Sequence, residues 1–511
     1  MSERNRTTRN TSGRPASARP ASGRTAPSQS ANRGSYTGAA RPLKRKGRRK
    51  KTLFGLDLET LVALALILVV LAAIITLSVI GIKGLIKKNT KVANYEVSAN
   101  ISPVQTPVPE GYENTPEPTQ SAVGQPDDPA VTPTPTPYVS SVSGLRSARI
   151  RTVGDFVMDK NILDSGKSYA SANNYKYPYN FSGMLSYISP VMQNADFTVA
   201  NVDGSMGGKS HYKYGYSGYP QFNTPEYLML DLVDCGVDML TLANNHMLDG
   251  WFDGLMDEIA KCEKAGLKHV GANRSAQEKA TPVIFEINNI KVGFMNYTVS
   301  LNSMETAKGL DSRALEFGVN AVRNSNAAKD AKALREADAD VIVCYMHWGK
   351  EYYSTPDDDQ KSLARNLVKA GVDIIVGGHP HVVQKAEWLS GTNQFGEPQK
   401  TLCVYSLGNF LSEHDWVKNK DGERVACNGG IIFDFTIQEK ADGSFEIMAP
   451  EYLPVYVWQT GGSYVVLNAA AYVQNGTKPN GMTSSQYQEM VDSYNFQVKV
   501  MSAGVGTLVN K

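Results

Sequence analysis

Large apolar residues are unevenly spread along this chain, and their spacing divides it before any motif is considered. Through Lys51 they are nearly absent, from 61 to 82 they run on without a charged residue, and from about 92 to 143 Pro, Thr, Val and Ser take over. From about Ser147 onward, short apolar runs alternate with longer stretches in which apolar positions recur at helical spacing. The short runs predict strands at 148–153, 197–200, 239–242, 283–287, 292–296, 341–345, 374–376, 401–405 and 431–435. The longer stretches predict helices at 181–193, 225–235, 252–265, 327–337 and 357–370. Strands and helices in that alternation point to an α/β fold. The domain plan that follows is a disordered basic tail (1–52), a membrane segment (53–91), a Pro/Thr-rich stalk (92–145), a globular domain (146–455) and a C-terminal extension (456–511).

Charge sharpens this plan. The tail holds fifteen Lys and Arg against the single acid Glu3, so it carries +14, and from a chain total of +2 the remainder carries −12. Such a composition cannot bury enough surface to offset its ordering entropy. The apolar run at 61–82 would span roughly 33 Å as a helix, enough for a bilayer core. It begins too far from the N-terminus for a cleaved signal peptide. Its first flank (Lys44, Arg45, Lys46, Arg48, Arg49, Lys50, Lys51) is more basic than its second (Lys83, Lys87, Lys88, Lys91). The expectation is a single-pass signal anchor in a bacterial cell membrane, with the N-terminus cytoplasmic and the globular domain extracellular. The run Thr132-Pro-Thr-Pro-Thr-Pro-Tyr138 suits an extended spacer. Tyr36 is the tail's one aromatic for stacking on bases, so anionic lipid is a better partner for it than nucleic acid. Five widely spaced cysteines without a CxxC pair are an odd count, which in an exported protein leaves one free thiol or an intermolecular bond, and Cys344 and Cys403 lie in apolar runs as small hydrophobes would.

Five polar clusters each follow a predicted strand, where ligand sites of α/β sheets collect. They are Gly154-Asp155, Asn201-Val202-Asp203-Gly204, Asn244-Asn245-His246 with Asp249, His347-Trp348-Gly349 with Glu351, and Gly378-His379-Pro380-His381. Imidazole nitrogen and carboxylate oxygen are ligands for zinc, iron and manganese. His379 and His381 cannot share a helix face, but they converge on an extended segment or a tight turn that Pro380 stiffens. Each cluster alone reads as a turn, a cap or a hydrogen-bonded histidine. Their joint occurrence in this order favours a common site.

Together with Tyr405-Ser406-Leu407-Gly408-Asn409-Phe410, these motifs resemble those of the bacterial CapA, or poly-γ-glutamate capsule-synthesis, family over about 147–435. The resemblance implies a four-layer α/β/β/α sandwich of the calcineurin-like metallophosphatase type, binding one or two divalent ions (Mn, Fe or Zn). It implies Asp155, Asp203, Asn245, His347, His379 and His381 at metal-ligand positions and His246 as the general acid. Asn201, Asn244, Glu351 and Asn409, in the same motifs, are candidate substrate contacts. Two departures are visible. Asp155 is followed by Phe156 and Val157 where the wider metallophosphatases have Asp-x-His, and Asn201-Val202-Asp203 stands where the family usually has Asn-Leu-Glu. The implied activity is metal-dependent hydrolysis or transfer at a phosphoester or amide-like centre, in synthesis or export of an anionic cell-surface polymer alongside membrane proteins of capsule synthesis. The alternative is a non-catalytic, metal-stabilised component of an export complex. The tyrosine-rich loop 212–219 is a candidate binding wall.

Overall fold

The computed structural model describes residues 144–212 and 215–509. The tail, the apolar segment at 61–82 and nearly all of the stalk lie outside the described residues. No helix among the described residues is long and apolar enough to cross a membrane.

The strands are β1 (Ser147–Phe156), β2 (Phe197–Val202), β3 (Met239–Thr241), β4 (Lys268–Val270), β5 (Val283–Ile287), β6 (Ile290–Thr298), β7 (Val341–His347), β8 (Ile374–Gly378), β9 (Val383–Thr392) and β10 (Pro398–Leu407). After these come β11 (Asn409–Leu411), the pair β12 (Trp416–Lys418) and β13 (Arg424–Ala426), then β14 (Gly429–Glu439), β15 (Phe445–Ile447), β16 (Glu451–Gln459), β17 (Tyr464–Asn468) and β18 (Thr507–Leu508). Among the described residues they form two large sheets. The first runs β17-β16-β14-β1-β2-β3-β4, with β11 beside β1, and the second runs β5-β6-β7-β8-β10-β9. β1 to β4 are parallel to one another, as are β6, β7, β8 and β10.

The two sheets pack face to face. Ile150, Val199, Phe433 and Phe435 of the first share one core with Val292, Phe294, Val343, Ile374 and Val404 of the second. Helices cover both outer faces. On the first sheet lie α1 (Lys160–Ala172), the short α2 (Ser182–Leu185) and α3 (Ser189–Met192), α4 (Leu228–Asp234) and α5 (Trp251–Lys264), through Ile162, Met184, Leu232 and Ile259. The four-residue α6 (Ala276–Lys279) precedes β5. On the second sheet lie α7 (Ala327–Glu336) and α8 (Asp358–Ala370), through Leu334, Ala364 and Leu367. The layers are therefore helix, sheet, sheet, helix. α8 shows the local logic plainly: Asp357 and Gln360 form a reciprocal capping box at its start, and Gly371, at φ +86°, ends it.

Three expectations need correction. The helix predicted at 181–193 is two single turns, because Pro190 has no N–H to give and its ring blocks the preceding turn. α1 was not anticipated, since Ser165, Gly166 and Ala170 on its buried face leave little apolar stripe to read. A boundary after 455 cuts β16 in its middle. Beyond it, β17, α9 (Ala469–Gln474), α10 (Ser484–Ser502) and β18 belong to the same folded body, and α10 packs on β16 and β9, one strand from each sheet. All five cysteines are buried and free.

Candidate metal centre

Two carboxylates arrive from the first sheet. Asp155 leaves β1 where its pairing with β2 shifts register. It is buried, and it accepts hydrogen bonds from Asn201 Nδ2 at 2.7 Å and the His379 N–H at 2.9 Å. Asp203 follows β2, with its N–H on the Phe156 carbonyl at 2.9 Å. Its Oδ1 lies 3.5 Å from His347 Nε2 and its Oδ2 lies 3.6 Å from His381 Nε2.

Three imidazoles arrive from the second sheet. His347 ends β7 fully enclosed, with Nε2 2.8 Å from Asn245 Oδ1. His379 and His381 stand on a turn after β8 and converge there, the tight turn of the two expected alternatives, with left-handed backbone at φ +92° and +57°. A non-glycine residue seldom adopts that region, and here two of three consecutive positions do. Gly378 makes room for the turn: a Cβ there would meet Asp155 Oδ1 at 2.8 Å. His381 Nδ1 is fixed by Asn409 Oδ1 at 3.0 Å, and Asn409 is itself anchored on the Cys427 carbonyl.

The electrostatics of this cluster are one-sided. Burial pushes the Asp155 carboxyl up to about 6, and burial together with the Asp155 charge holds Asp203 well above the usual carboxylate range. Burial drives His379 down to about 3, His381 down to about 4, and His347 well below its ordinary value. These three imidazoles are thus neutral, with lone pairs to offer, and His246 offsets only part of the carboxylate charge. Asp203 Oδ1 and His379 Nδ1 are buried without a hydrogen-bond partner. Donor atoms of Asp203, His347 and His379, of Asp155, Asp203 and His381, and of Glu351, His379 and His381 lie within 4.8 Å of one another in each group. Oxygen and imidazole donors converging without their own cation fit a divalent metal ion.

His246 stands beside this centre as a separate unit. Its Nδ1 is 2.8 Å from Asp249 Oδ2, which also accepts the Phe222 N–H at 2.7 Å. Burial works against its charged form, but the Asp249 hydrogen bond and the Asp203 charge outweigh this and raise its pKa. Asn302, on the loop after β6 at φ +50°, lies 3.3 Å from His246 Nε2 through Nδ2 and accepts from Asn245 Nδ2 at 3.2 Å.

Three residues expected against substrate have another task. Asn201 donates to Asp155, and Asn409 orients His381. Asn244 donates to the Val202 and Gly204 carbonyls while accepting the His246 N–H. Their polar groups are spent on bracing the centre. In the loop 212–219, Tyr212 is hydrogen-bonded inward to Ser205 and Tyr216 to Glu226, while Tyr219 is 77% exposed; Lys213 and Tyr214 lie outside the described residues. Asn302 and Tyr352 were not singled out, although Asn302, like the other clusters, follows a strand. The His414 ring is 5.3 Å from His381, with Nε2 3.6 Å from Asp159.

Two stacked sheets with carboxylates entering from one and imidazoles from the other define a two-sheet α/β protein with a candidate divalent-metal centre. Residues 149–414 match the family model described as bacterial capsule synthesis protein PGA_cap, and the chain belongs to that family. It is 28% identical over 299 residues to the capsule biosynthesis protein CapA of Bacillus anthracis, covering 57% of this chain and 67% of that one. With the PGA biosynthesis protein CapA of Bacillus subtilis it shares 27% over 267 residues, or 52% of this chain and 63% of that one. A probable polyglutamine synthesis accessory protein of Mycobacterium tuberculosis is 26% identical over 42% of this chain and 54% of its own length. Among solved structures, the NAD nucleotidase of Haemophilus influenzae aligns with a TM-score of 0.33 and 12% identity over 72% of this chain and 57% of that one.

Proposed function

We propose that this chain is a membrane-anchored, metal-dependent hydrolase or transferase of the calcineurin-like metallophosphatase type, acting in synthesis or export of a capsular polymer such as poly-γ-glutamate. The observation that carries the reading is the convergence of Asp155, Asp203, His347, His379 and His381 beside the His246–Asp249 pair. A divalent cation held by those residues, with Asn245, supplies Lewis acidity and a nucleophile at neutral pH. The protein's own part is to exclude water, hold the donors rigid and move a proton. Asp249 takes the Nδ1 side of His246, which leaves Nε2 to deliver a proton to a leaving group, a contribution of about 10²–10⁴-fold. A domain of net negative charge repels a polyanion on average, so the centre itself is the attractive point for an anionic chain. The anchor and its orientation rest on the apolar run at 61–82 and the basic residues before it.

The test is turnover of model phosphoesters and γ-glutamyl amides by the full chain and by His246→Ala, with elemental analysis of both. The expected outcome is metal in both proteins and turnover in the wild type alone. Equal turnover in the variant removes His246 from the mechanism. No turnover in either, with membrane proteins co-purifying, supports the non-catalytic alternative.

A further inference from the structure

The turn that follows β7 is built with more care than a surface connection needs. Gly349 sits at φ +89°, where a Cβ would press on the buried Gln360 side chain at 2.6 Å, and Tyr352 adopts φ +68°, rare for a bulky side chain. Hydrogen bonds lace this turn to the His-Pro-His turn. The Trp348 N–H donates to the Gly378 carbonyl at 3.2 Å and the Tyr352 N–H to the Pro380 carbonyl at 2.8 Å. Asn419 Nδ2 holds the Tyr352 carbonyl at 3.0 Å from the far side.

Glu351 lies between the two tied positions. Its side chain is exposed on the solvent side, with a carboxylate oxygen inside the 4.8 Å group formed with His379 and His381. No hydrogen bond or ion pair from a described residue engages that carboxylate. On the opposite side β1 brings Asp155 and no further donor, because Phe156 and Val157 follow it. Asp203 and His347 with Asn245 gather at the inner position, and Asp155 and Asp203 also come within 4.8 Å of His381, so Glu351 is the donor that reaches His379 and His381 from the solvent side.

We propose that Glu351 is a metal ligand, closing with His379 and His381 a second, solvent-facing cation position beside the buried one at Asp203, His347 and Asn245. This deepens the proposed function, and it rests on the reading of the site as a metal centre. A carboxylate at the mouth places the outer cation where a phosphate or carboxylate of an incoming polymer meets it first, and it lets that cation exchange without opening the core.

The test is metal binding rather than activity. The full chain in detergent is stripped with chelator and titrated with Mn²⁺ by calorimetry, and bound metal is counted by elemental analysis. Wild type is expected to take up two ions. Glu351→Gln, isosteric and exposed, is expected to lose one of them or to bind it at least about tenfold more weakly, while circular dichroism is unchanged. Equal uptake and equal affinity in the two proteins would overturn the inference and leave Glu351 as a substrate contact. That result would leave His246 and the proposed function standing. Loss of an ion in Glu351→Gln from a protein that turns over nothing would have the reverse effect.

Discussion

At the scale of single residues, the centre depends on close approach as much as on donor chemistry. Gly378 brings β8 against Asp155, and the Asp155 carboxylate in turn accepts the His379 N–H. A methyl group at 378 would sit 2.8 Å from Asp155 Oδ1, so Gly378→Ala displaces one ligand and the turn carrying two more. The expected outcome is a folded protein whose metal affinity falls at least about tenfold, as for other residues that orient ligands, measured by titration against a chelating dye. Much of this was legible in the sequence, because polar clusters after strands have few structural reasons to recur together. Asn302 was not legible. It enters the site from a loop whose path is set by tertiary packing, and it stands in no motif. The roles of Asn201, Asn244 and Asn409 were also hidden, since sequence does not distinguish an amide facing substrate from one that braces a ligand.

At the scale of elements, the loop carrying Asp203 is tied down by α5. Glu258 Oε2 on that helix accepts both the Ser205 hydroxyl at 2.8 Å and the Met206 N–H at 2.9 Å. Burial pushes the Glu258 carboxyl up to about 7, so the fold favours its protonated form. Its contribution to stability is therefore complete below about pH 4.5, the unfolded value, and is lost as pH rises through 7. The shift corresponds to about 3 kcal/mol. Glu258→Gln keeps an acceptor for both donors and stays neutral. Urea unfolding at pH 4.5 and pH 8 should show wild-type stability falling by about that much more than the variant's. Elements whose buried face is apolar, such as β7 and α8, were predicted to within two residues at each end. Those that bury small or polar groups were missed. α10 turns Ser493 and Gln497 inward between Met490, Tyr494 and Met501, with Gln497 Nε2 on the Val455 carbonyl at 3.0 Å, and these polar positions interrupt the apolar stripe that periodicity registers.

At the scale of the whole molecule, residues after 455 complete the sandwich. β16 pairs with β14 on one side and β17 on the other, and Tyr456, Trp458, Leu467, Met490 and Tyr494 form a core of their own. A chain ending at 455 lacks the second half of β16 and all of β17, and it strips α10 from both sheets. It is expected to be insoluble or to lack near-ultraviolet circular dichroism, whereas a chain ending at 509 folds. The two-sheet arrangement was reachable from sequence through family resemblance alone, because strand patterns do not say which sheet a strand joins.

β10 belongs to the second sheet and β11 to the first, and the crossing is made at Gly408, whose carbonyl takes the Asp155 N–H at 2.8 Å. The cation pocket thus straddles the line along which the two halves of the sandwich meet. Asp155 and His379 stand 224 positions apart. Neither sheet alone holds all of the donors, so on the proposed reading a bound ion would report that both sheets have closed.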